Sequence, residues 1–303
     1  MRILLFGKEG QVGWELQRSL APLGDLISVD VDSTELCGNF TDLTGISATV
    51  RSVAPNVIVN AAAYTSVDNA EGDPLLSHAI NALAPAAIAA EARINNAWFV
   101  HYSTDYVFDG SGTAPWSEES PTTPLNVYGK TKLAGEEAIS TSGCKHLIFR
   151  TSWVHAMRGE NFPKKILRLA KTRNQLSVID DQIGAPTGAD LLADVTAHAI
   201  RMVVQRCELG GLYHVVAGGE TDWLSYARLV VQIARASGFE VNVADDAIFP
   251  MASSGSPAPA LRPKNSRMAT TKIQQAFGLT LPRWEDGVQR LVRELCYRQI
   301  NTL

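Results

Sequence analysis

Tyr128 and Lys132 stand four residues apart in the run Tyr128-Gly129-Lys130-Thr131-Lys132, near the start of a segment patterned as a helix from about Asn126. At that spacing the two side chains share one helix face. The chemistry that uses such a pair is proton transfer to or from a hydroxyl group. A free phenol titrates near pKa ~10. A lysine ammonium ~4 Å away, at an effective dielectric of roughly 20, favours tyrosinate by up to ~4 kcal/mol. That would bring the phenol toward neutrality, where a general acid or base works best. Upstream, the apolar strand Trp98-Phe99-Val100-His101-Tyr102 runs into Ser103-Thr104-Asp105-Tyr106, followed by a polar loop rich in Gly, Ser, Thr and Pro. Thr104, at the C-terminal tip of that strand, can hold a reacting oxygen against Tyr128, because open parallel sheets bind ligands at that edge. A surface tyrosine resting on a lysine stem would give the same spacing. The pair gains meaning only if a dinucleotide site lies upstream.

The elements that must position such a site are legible from the N-terminus. Ile3 to Phe6 is a short apolar run that fits a buried parallel strand. It leads into Gly7-Lys8-Glu9-Gly10-Gln11-Val12-Gly13 and a helical pattern from Val12 to Leu20. Strand, glycine loop and helix in that order are the setting of a dinucleotide fingerprint, here spaced G-x-x-G-x-x-G. The glycines allow a tight turn and close approach of the backbone to a pyrophosphate on the helix N-terminus. A second strand, Leu26 to Val31, carries Asp30, placed to bond an adenosine ribose and so to favour NADH over NADPH. Asn39-Phe40, before Asp42, forms a polar turn that caps the next helix and borders the adenine. The third strand, Val57 to Asn60, enters Ala61-Ala62-Ala63-Tyr64, small residues over which a bulky ligand can lie. An alanine-rich helix from about Leu75 to Asn95 returns the chain to the 98–102 strand. The pattern βαβαβαβ predicts an α/β fold with a doubly wound parallel sheet, Rossmann-type, and right-handed crossovers.

The bulk numbers agree. The chain has 303 residues, 46% hydrophobic and 19% charged, ordinary for a globular enzyme. A net charge of −4 without a long basic run argues against a nucleic-acid partner. Cys37, Cys144, Cys207 and Cys296 are too scattered for a CxxC motif and read as reduced thiols of a cytoplasmic protein. The apolar run before Gly7 is too short for a signal-peptide core, and no membrane span is expected. The six histidines form no HExxH spacing.

Taken together, the glycine loop 7–13, Asn60-Ala61-Ala62-Ala63, Ser103-Thr104-Asp105-Tyr106-Val107-Phe108 and Tyr128-x-x-x-Lys132 resemble the extended short-chain dehydrogenase/reductase family. Further stretches, Arg150-Thr151-Ser152-Trp153-Val154, Asp181-Gln182-Ile183-Gly184-Ala185-Pro186-Thr187 and Arg262-Pro263-Lys264-Asn265-Ser266, narrow the resemblance to the dTDP-4-dehydrorhamnose reductase family from end to end. The resemblance implies hydride transfer from NADPH or NADH to C4 of a dTDP-4-dehydro-6-deoxy sugar. It implies Tyr128 as proton donor, Lys132 on the nicotinamide ribose, and Thr104 as helper hydroxyl. Thr104, Asp105, Trp153 and Arg262 would contact substrate. Gly7, Gly10, Gln11, Val12 and Gly13 would meet the pyrophosphate. Asp30, Asn39, Phe40, Ala62, Ala63, Tyr64 and Tyr102 would line the rest of the cofactor site. Asn39 and Tyr64 stand where the family often has Asp and His. A magnesium-bridged homodimer in some relatives implies Glu15, Asp190 and Glu294 as metal-bridging residues, with Asp190 where Glu is expected.

The expected organisation is a dinucleotide-binding domain over 1–150 and a mainly substrate-binding part over 151–303, with about 175–216 returning to the first sheet. Strands are expected at Leu147 to Arg150, Leu176 to Ile179 and Leu212 to Val216. Helices are expected at Gly188 to Arg206, Asp222 to Ser237 and Trp284 to Arg298, and a Ser- and Pro-rich loop or lid at 251–264. Two other readings share these motifs. A sugar-nucleotide 4-epimerase or dehydratase keeps the loop, Thr and Tyr-x-x-x-Lys, although a dehydratase needs Asp-Glu after Thr104 and the chain has Asp105-Tyr106. A non-catalytic regulatory subunit of a methionine adenosyltransferase would keep the fold without a working site.

Overall fold

Alternation of side chains across both faces organises the sheet. In β1 (Arg2–Phe6), Ile3 and Leu5 enter one core cluster, Leu4 and Phe6 another, and all four are fully buried. That is the pattern of a parallel strand covered on both sides. The structure, a computed structural model, describes residues 1–255 and 258–300. After β1 come α1 (Gln11–Leu20), β2 (Asp25–Val29), α2 (Leu43–Val53), β3 (Val57–Asn60), α3 (Val67–Gly72), a long helix α4 (Pro74–Ile94) and β4 (Trp98–Thr104). The chain continues through α5 (Val127–Thr141), β5 (Lys145–Thr151), α6 (Phe162–Thr172), α7 (Ala189–Val203) and β6 (Gly211–His214). It ends with α8 (Trp223–Ala236), α9 (Thr271–Phe277) and α10 (Trp284–Ile300).

The main sheet is parallel throughout, in the order β6-β5-β4-β3-β1-β2. The expected doubly wound fold is therefore present. Leu16 and Leu20 of α1 and Leu192 and Ile200 of α7 cover one face. Ile46 and Val50 of α2 and Ile88 and Ala92 of α4 cover the other. Strand order reverses between β1 and β3, which opens the crevice where such sheets take ligands.

A second core joins α6, α8 and α10 through Ile166, Val230 and Val288. Here the sequence expectation is corrected. Leu176–Ile179 does not return to the main sheet but pairs in parallel with Ile248–Met251. Its inward residues Leu176 and Val178, with Ile248, belong to this second core, so burial draws the strand away from β5. Of the 175–216 stretch, α7 and β6 return. Residues 256 and 257 of the expected Ser- and Pro-rich loop lie outside the described residues. Before them Met251 ends a strand and Ser253–Gly255 form a single 3₁₀ turn.

By length and composition alone, the Pro74–Ile94 run is long and apolar enough to cross a membrane. Half of its most apolar window is buried inside the fold, as in the core helix of a two-sided sheet.

Candidate active site

Each candidate residue is placed by local rules that can be read off the chain. The Asn126 side chain accepts the Gly129 N–H at 2.8 Å and so starts α5. Gly129 lets the first turn press on the loop after β4: a Cβ there would lie 2.2 Å from the Tyr106 carbonyl oxygen. Six residues on, Gly135 packs α5 against α4, where a Cβ would lie 2.2 Å from the Asn81 carbonyl oxygen. Pro85 has no N–H for that carbonyl, and α4 widens to π register over Ala79–Leu83. Asn81 is buried there. Its side chain holds both the N–H and the C=O of Tyr64, at 2.9 and 3.1 Å, and donates to the Thr131 hydroxyl at 3.1 Å. No sequence pattern pointed to Asn81.

Tyr128 meets Thr104 at the tip of β4. The Thr104 hydroxyl donates to Asp105 Oδ1 at 3.0 Å and accepts from the Tyr106 N–H at 3.2 Å. Thr104 also faces the Tyr128 phenol and acts to lower its pKa, the effect of a hydroxyl turned toward the phenolate. Tyr106 packs edge-on against the Tyr128 ring, with centroids 5.5 Å apart. Burial pushes the Tyr128 phenol up to about 12, opposed by the Thr104 hydrogen bond and reinforced by the Asp105 charge. Burial likewise pushes Asp105 up to about 6, against hydrogen bonds from Ser266 and Thr104.

Without ligand, Lys132 makes its hydrogen bonds to β4. Its Nζ donates to the Tyr102 carbonyl at 2.6 Å and lies 3.2 Å from His101 Nε2. It is 2% exposed, and burial pulls it down to about 8, partly offset by Glu136 one turn on. Glu136 itself faces Arg150 in a buried pair at 2.6 Å. In the protein without ligand, the phenol is therefore governed by burial and Thr104 rather than by a lysine charge.

The cofactor candidates converge on the β1–β3 crevice. Gly7 has φ +82°, and a Cβ there would lie 2.5 Å from Ala62 N, so the glycine loop and the alanine turn touch backbone to backbone. A Cβ on Gly13 would lie 1.9 Å from the Gly7 carbonyl oxygen. α1 begins without a side-chain cap and with no acidic residue in its first turn, leaving its first N–H groups for an anion. This fits a dinucleotide pyrophosphate. Asp30 stands at the tip of β2, with Oδ2 accepting the Glu9 N–H at 2.9 Å, so it also braces the loop. Gln11 receives Asn161 Nδ2 at 3.0 Å, and Arg158 reaches the Glu9 carbonyl at 2.8 Å and the Glu9 carboxylate. Neither Arg158 nor Asn161 was singled out by sequence.

Two cofactor candidates change role. Strand alternation sends the Tyr102 ring to the far face, where its hydroxyl lies 2.6 Å from Thr196 of α7. Only its carbonyl serves the site, by holding Lys132. Phe40 is a core residue, 5% exposed and edge-on to Phe6 at 5.5 Å. Asn39 uses its side-chain oxygen on Thr41, with Thr41 N at 3.0 Å, while Asp42 caps α2 through Gly45 N at 2.8 Å.

Among substrate candidates, Trp153 takes φ +48° two residues after the end of β5 and stacks on Trp223, with centroids 3.6 Å apart. A left-handed tryptophan costs on the order of 1–2 kcal/mol. Arg262 is paired at 2.7 Å with Asp68 at the start of α3, and this pairing holds the Asp68 carboxyl below its ordinary value. A phosphate-binding role requires Arg262 to exchange that partner.

The metal candidates do share a pocket: Glu15, Asp190 and Glu294 line it with His155 and Arg290. Each carboxylate nevertheless faces an arginine: Arg18 at 3.4 Å, Arg290, and Arg298 at 2.9 Å. Among the described residues no group of three or more His, Cys, Asp or Glu is arranged to hold a metal ion. In this single chain the three carboxylates are paired with arginines rather than gathered for the expected magnesium ion.

Comparison with known proteins bears on the whole chain. A family model described as the RmlD substrate binding domain matches residues 1–297. The dTDP-4-dehydrorhamnose reductase of Salmonella typhimurium is 58% identical over 295 residues, covering 97% of this chain and 98% of that protein. The crystal structure of a dTDP-4-dehydrorhamnose reductase from Clostridium acetobutylicum superposes with a TM-score of 0.87 at 31% identity, covering 97% of this chain and 99% of that one. One from Bacillus anthracis, in complex with NADP, gives 0.84 at 32% identity, with the same coverage of 97% and 99%.

Proposed function

Because this chain belongs to the dTDP-4-dehydrorhamnose reductase family, we propose that it reduces the C4 ketone of dTDP-4-dehydro-6-deoxy-L-mannose to dTDP-L-rhamnose, the last step of dTDP-rhamnose synthesis, with Tyr128 as proton donor. The observation that carries the residue assignment is the buried Tyr128 phenol facing Thr104 at the tip of β4, with the Tyr106 ring edge-on to it. Burial pushes the phenol up to about 12, so it keeps its proton at neutral pH. Protonated phenol is the state a ketone reduction needs at the outset.

NADPH or NADH, when bound, supplies the hydride. The chain's part is to hold and orient. Gly7, Gly10 and the N-terminal turn of α1 (Gln11, Val12 and Gly13) receive the pyrophosphate. Asp30, Asn39 and the 62–64 turn border the adenosine half, and Lys132 meets the nicotinamide ribose. Asp105, Trp153 and Arg262 contact the dTDP-sugar. Four free cysteines and a nucleotide-activated substrate fit the cytoplasm.

The test mixes the purified protein with NADPH, then NADH, and the 4-keto sugar nucleotide, following loss of the nicotinamide near-ultraviolet absorbance. Loss that requires the sugar is expected. Tyr128→Phe should lower kcat by ~10²–10⁴-fold, the range of general acid catalysis, with NADPH binding retained. A Tyr128→Phe variant with near-wild-type turnover would remove Tyr128 from the donor role.

A further inference from the structure

Behind Lys132 runs a buried chain of hydrogen bonds whose directions can be worked out. Asn60, the last residue of β3, accepts the Ala62 N–H on Oδ1 at 2.9 Å. A backbone N–H only donates, so that end of the amide is its oxygen. The other end, Nδ2, lies 3.0 Å from His101 Nδ1. An amide NH₂ also only donates, so His101 Nδ1 is an acceptor and the proton of the neutral ring sits on Nε2. Burial alone works to hold His101 well below its ordinary value, whatever the charge on Lys132, which keeps it neutral. Nε2 lies 3.2 Å from Lys132 Nζ. A donor there needs an acceptor opposite, and an ammonium has none. Asn60 and His101 are each 1% exposed, so water does not relieve the conflict.

We propose that His101 is a positioning residue whose tautomer, set by Asn60, weakens the hold of Lys132 on its proton in the free protein, and that in the working complex Lys132, taking its proton from solvent, turns as an ammonium toward Tyr128. The inference deepens the reductase reading and rests on it for the second half. The groups facing Lys132 are the His101 ring and the Tyr102 carbonyl from β4, Glu136 on its own helix, and Tyr128 one turn back. Glu136 is engaged by Arg150 from β5, so His101 is the neighbour whose hydrogen bond distinguishes amine from ammonium. The chain also joins two parts of the site: the Ala62 N–H that orients Asn60 belongs to the turn against which Gly7 packs. Placement of the cofactor turn and charge on the lysine are thereby linked through two buried side chains.

The first test needs no turnover. Nitrogen-15 NMR of histidine-labelled, ligand-free protein, with the His101 signals identified by their loss in His101→Gln, should show the neutral Nε2–H tautomer with no titration between about pH 5 and 9. An Nδ1–H tautomer, or a cationic ring at neutral pH, would overturn the proposal even in a fully active enzyme. The second test reads the alkaline limb of kcat/KM. In His101→Gln the amide oxygen can accept from an ammonium, so Lys132 should keep its proton longer and the limb should move up by about one pH unit for each tenfold in proton affinity. If His101→Gln does not fold, Asn60→Asp serves. One carboxylate oxygen keeps Ala62, the other takes Nδ1–H, and the freed Nε2 accepts from Lys132; the His101 signals should switch tautomer, which also identifies them, and the limb should rise. A purely structural role would lower thermal stability and leave the limb in place, which would refute the proposal. Absence of turnover in the wild type, with the Nε2–H tautomer present, would count against the reductase reading and not against the hydrogen-bond chain.

Discussion

At the scale of single residues, the glycine triplet is three different things. A Cβ on Gly13 would lie 1.9 Å from backbone, whereas one on Gly10 would lie 3.4 Å from its nearest neighbour, the Gly7 carbonyl oxygen, in ordinary contact. Gly13→Ala should therefore lower the denaturant midpoint by the equivalent of ~1–3 kcal/mol and weaken NADPH binding, while Gly10→Ala should cost under ~1 kcal/mol. Equal losses in the two variants would mean that the loop is not packed as described. The spacing made all three visible and could not rank them, since the clashing atoms belong to residues brought in by folding. Thr104 shows the converse. Its place before Asp105 was readable, but the direction of its hydrogen bond to Asp105 was not. Thr104→Val removes the hydroxyl that faces the phenol and should cut kcat by about tenfold or more, with the KM for NADPH little changed in steady-state assays.

Among elements, β4 and α5 carry most of what was legible. A strand alternates faces, so His101 and Tyr102 cannot both look at Lys132. Parity along Trp98–Thr104 is a property of the sequence and puts His101 and the Tyr102 ring on opposite faces, but which of them meets the lysine is set by the packing of α5 and α7. The π segment is different. Pro85 advertises a break in an alanine-rich helix, but that the freed turn would seat Asn81 on the Tyr64 backbone depends on α5 arriving with Gly135. A methyl at Gly135, 2.2 Å from the Asn81 carbonyl oxygen, should destabilise the protein by ~1–3 kcal/mol and lower turnover through Asn81. Chemical denaturation and initial rates of Gly135→Ala measure both. An unchanged variant would show that α4 and α5 do not bear on one another there.

For the whole molecule, the first sheet was readable because both faces of its strands are apolar, while the second core is assembled from short strands and helices far apart in sequence. Leu176–Ile179 was a recognisable strand without a recognisable partner. Folding also buries neutral histidines. Burial, with nearby arginine charge, pulls His155 down to about 4 and His214 to about 3, below the ~6.5 of an unfolded chain. Between those values the unfolded chain binds protons that the native protein refuses, so stability falls as pH drops from ~6.5, by about 1.4 kcal/mol per pH unit for each such histidine. Asp105, raised to about 6, acts oppositely between ~6 and ~4 but is one group against His155, His214 and His101. Thermal melts should therefore shift downward steadily from neutral pH toward pH 4; a flat profile would mean that these histidines are solvated. The two stacked indoles have an optical consequence as well. Rings 3.6 Å apart and 15° from parallel share their excited states, so Trp153 and Trp223 should give a coupled pair of circular dichroism bands of opposite sign. That couplet would vanish in Trp223→Leu, and a change in it on adding a sugar nucleotide would support, without a label, the contact proposed for Trp153.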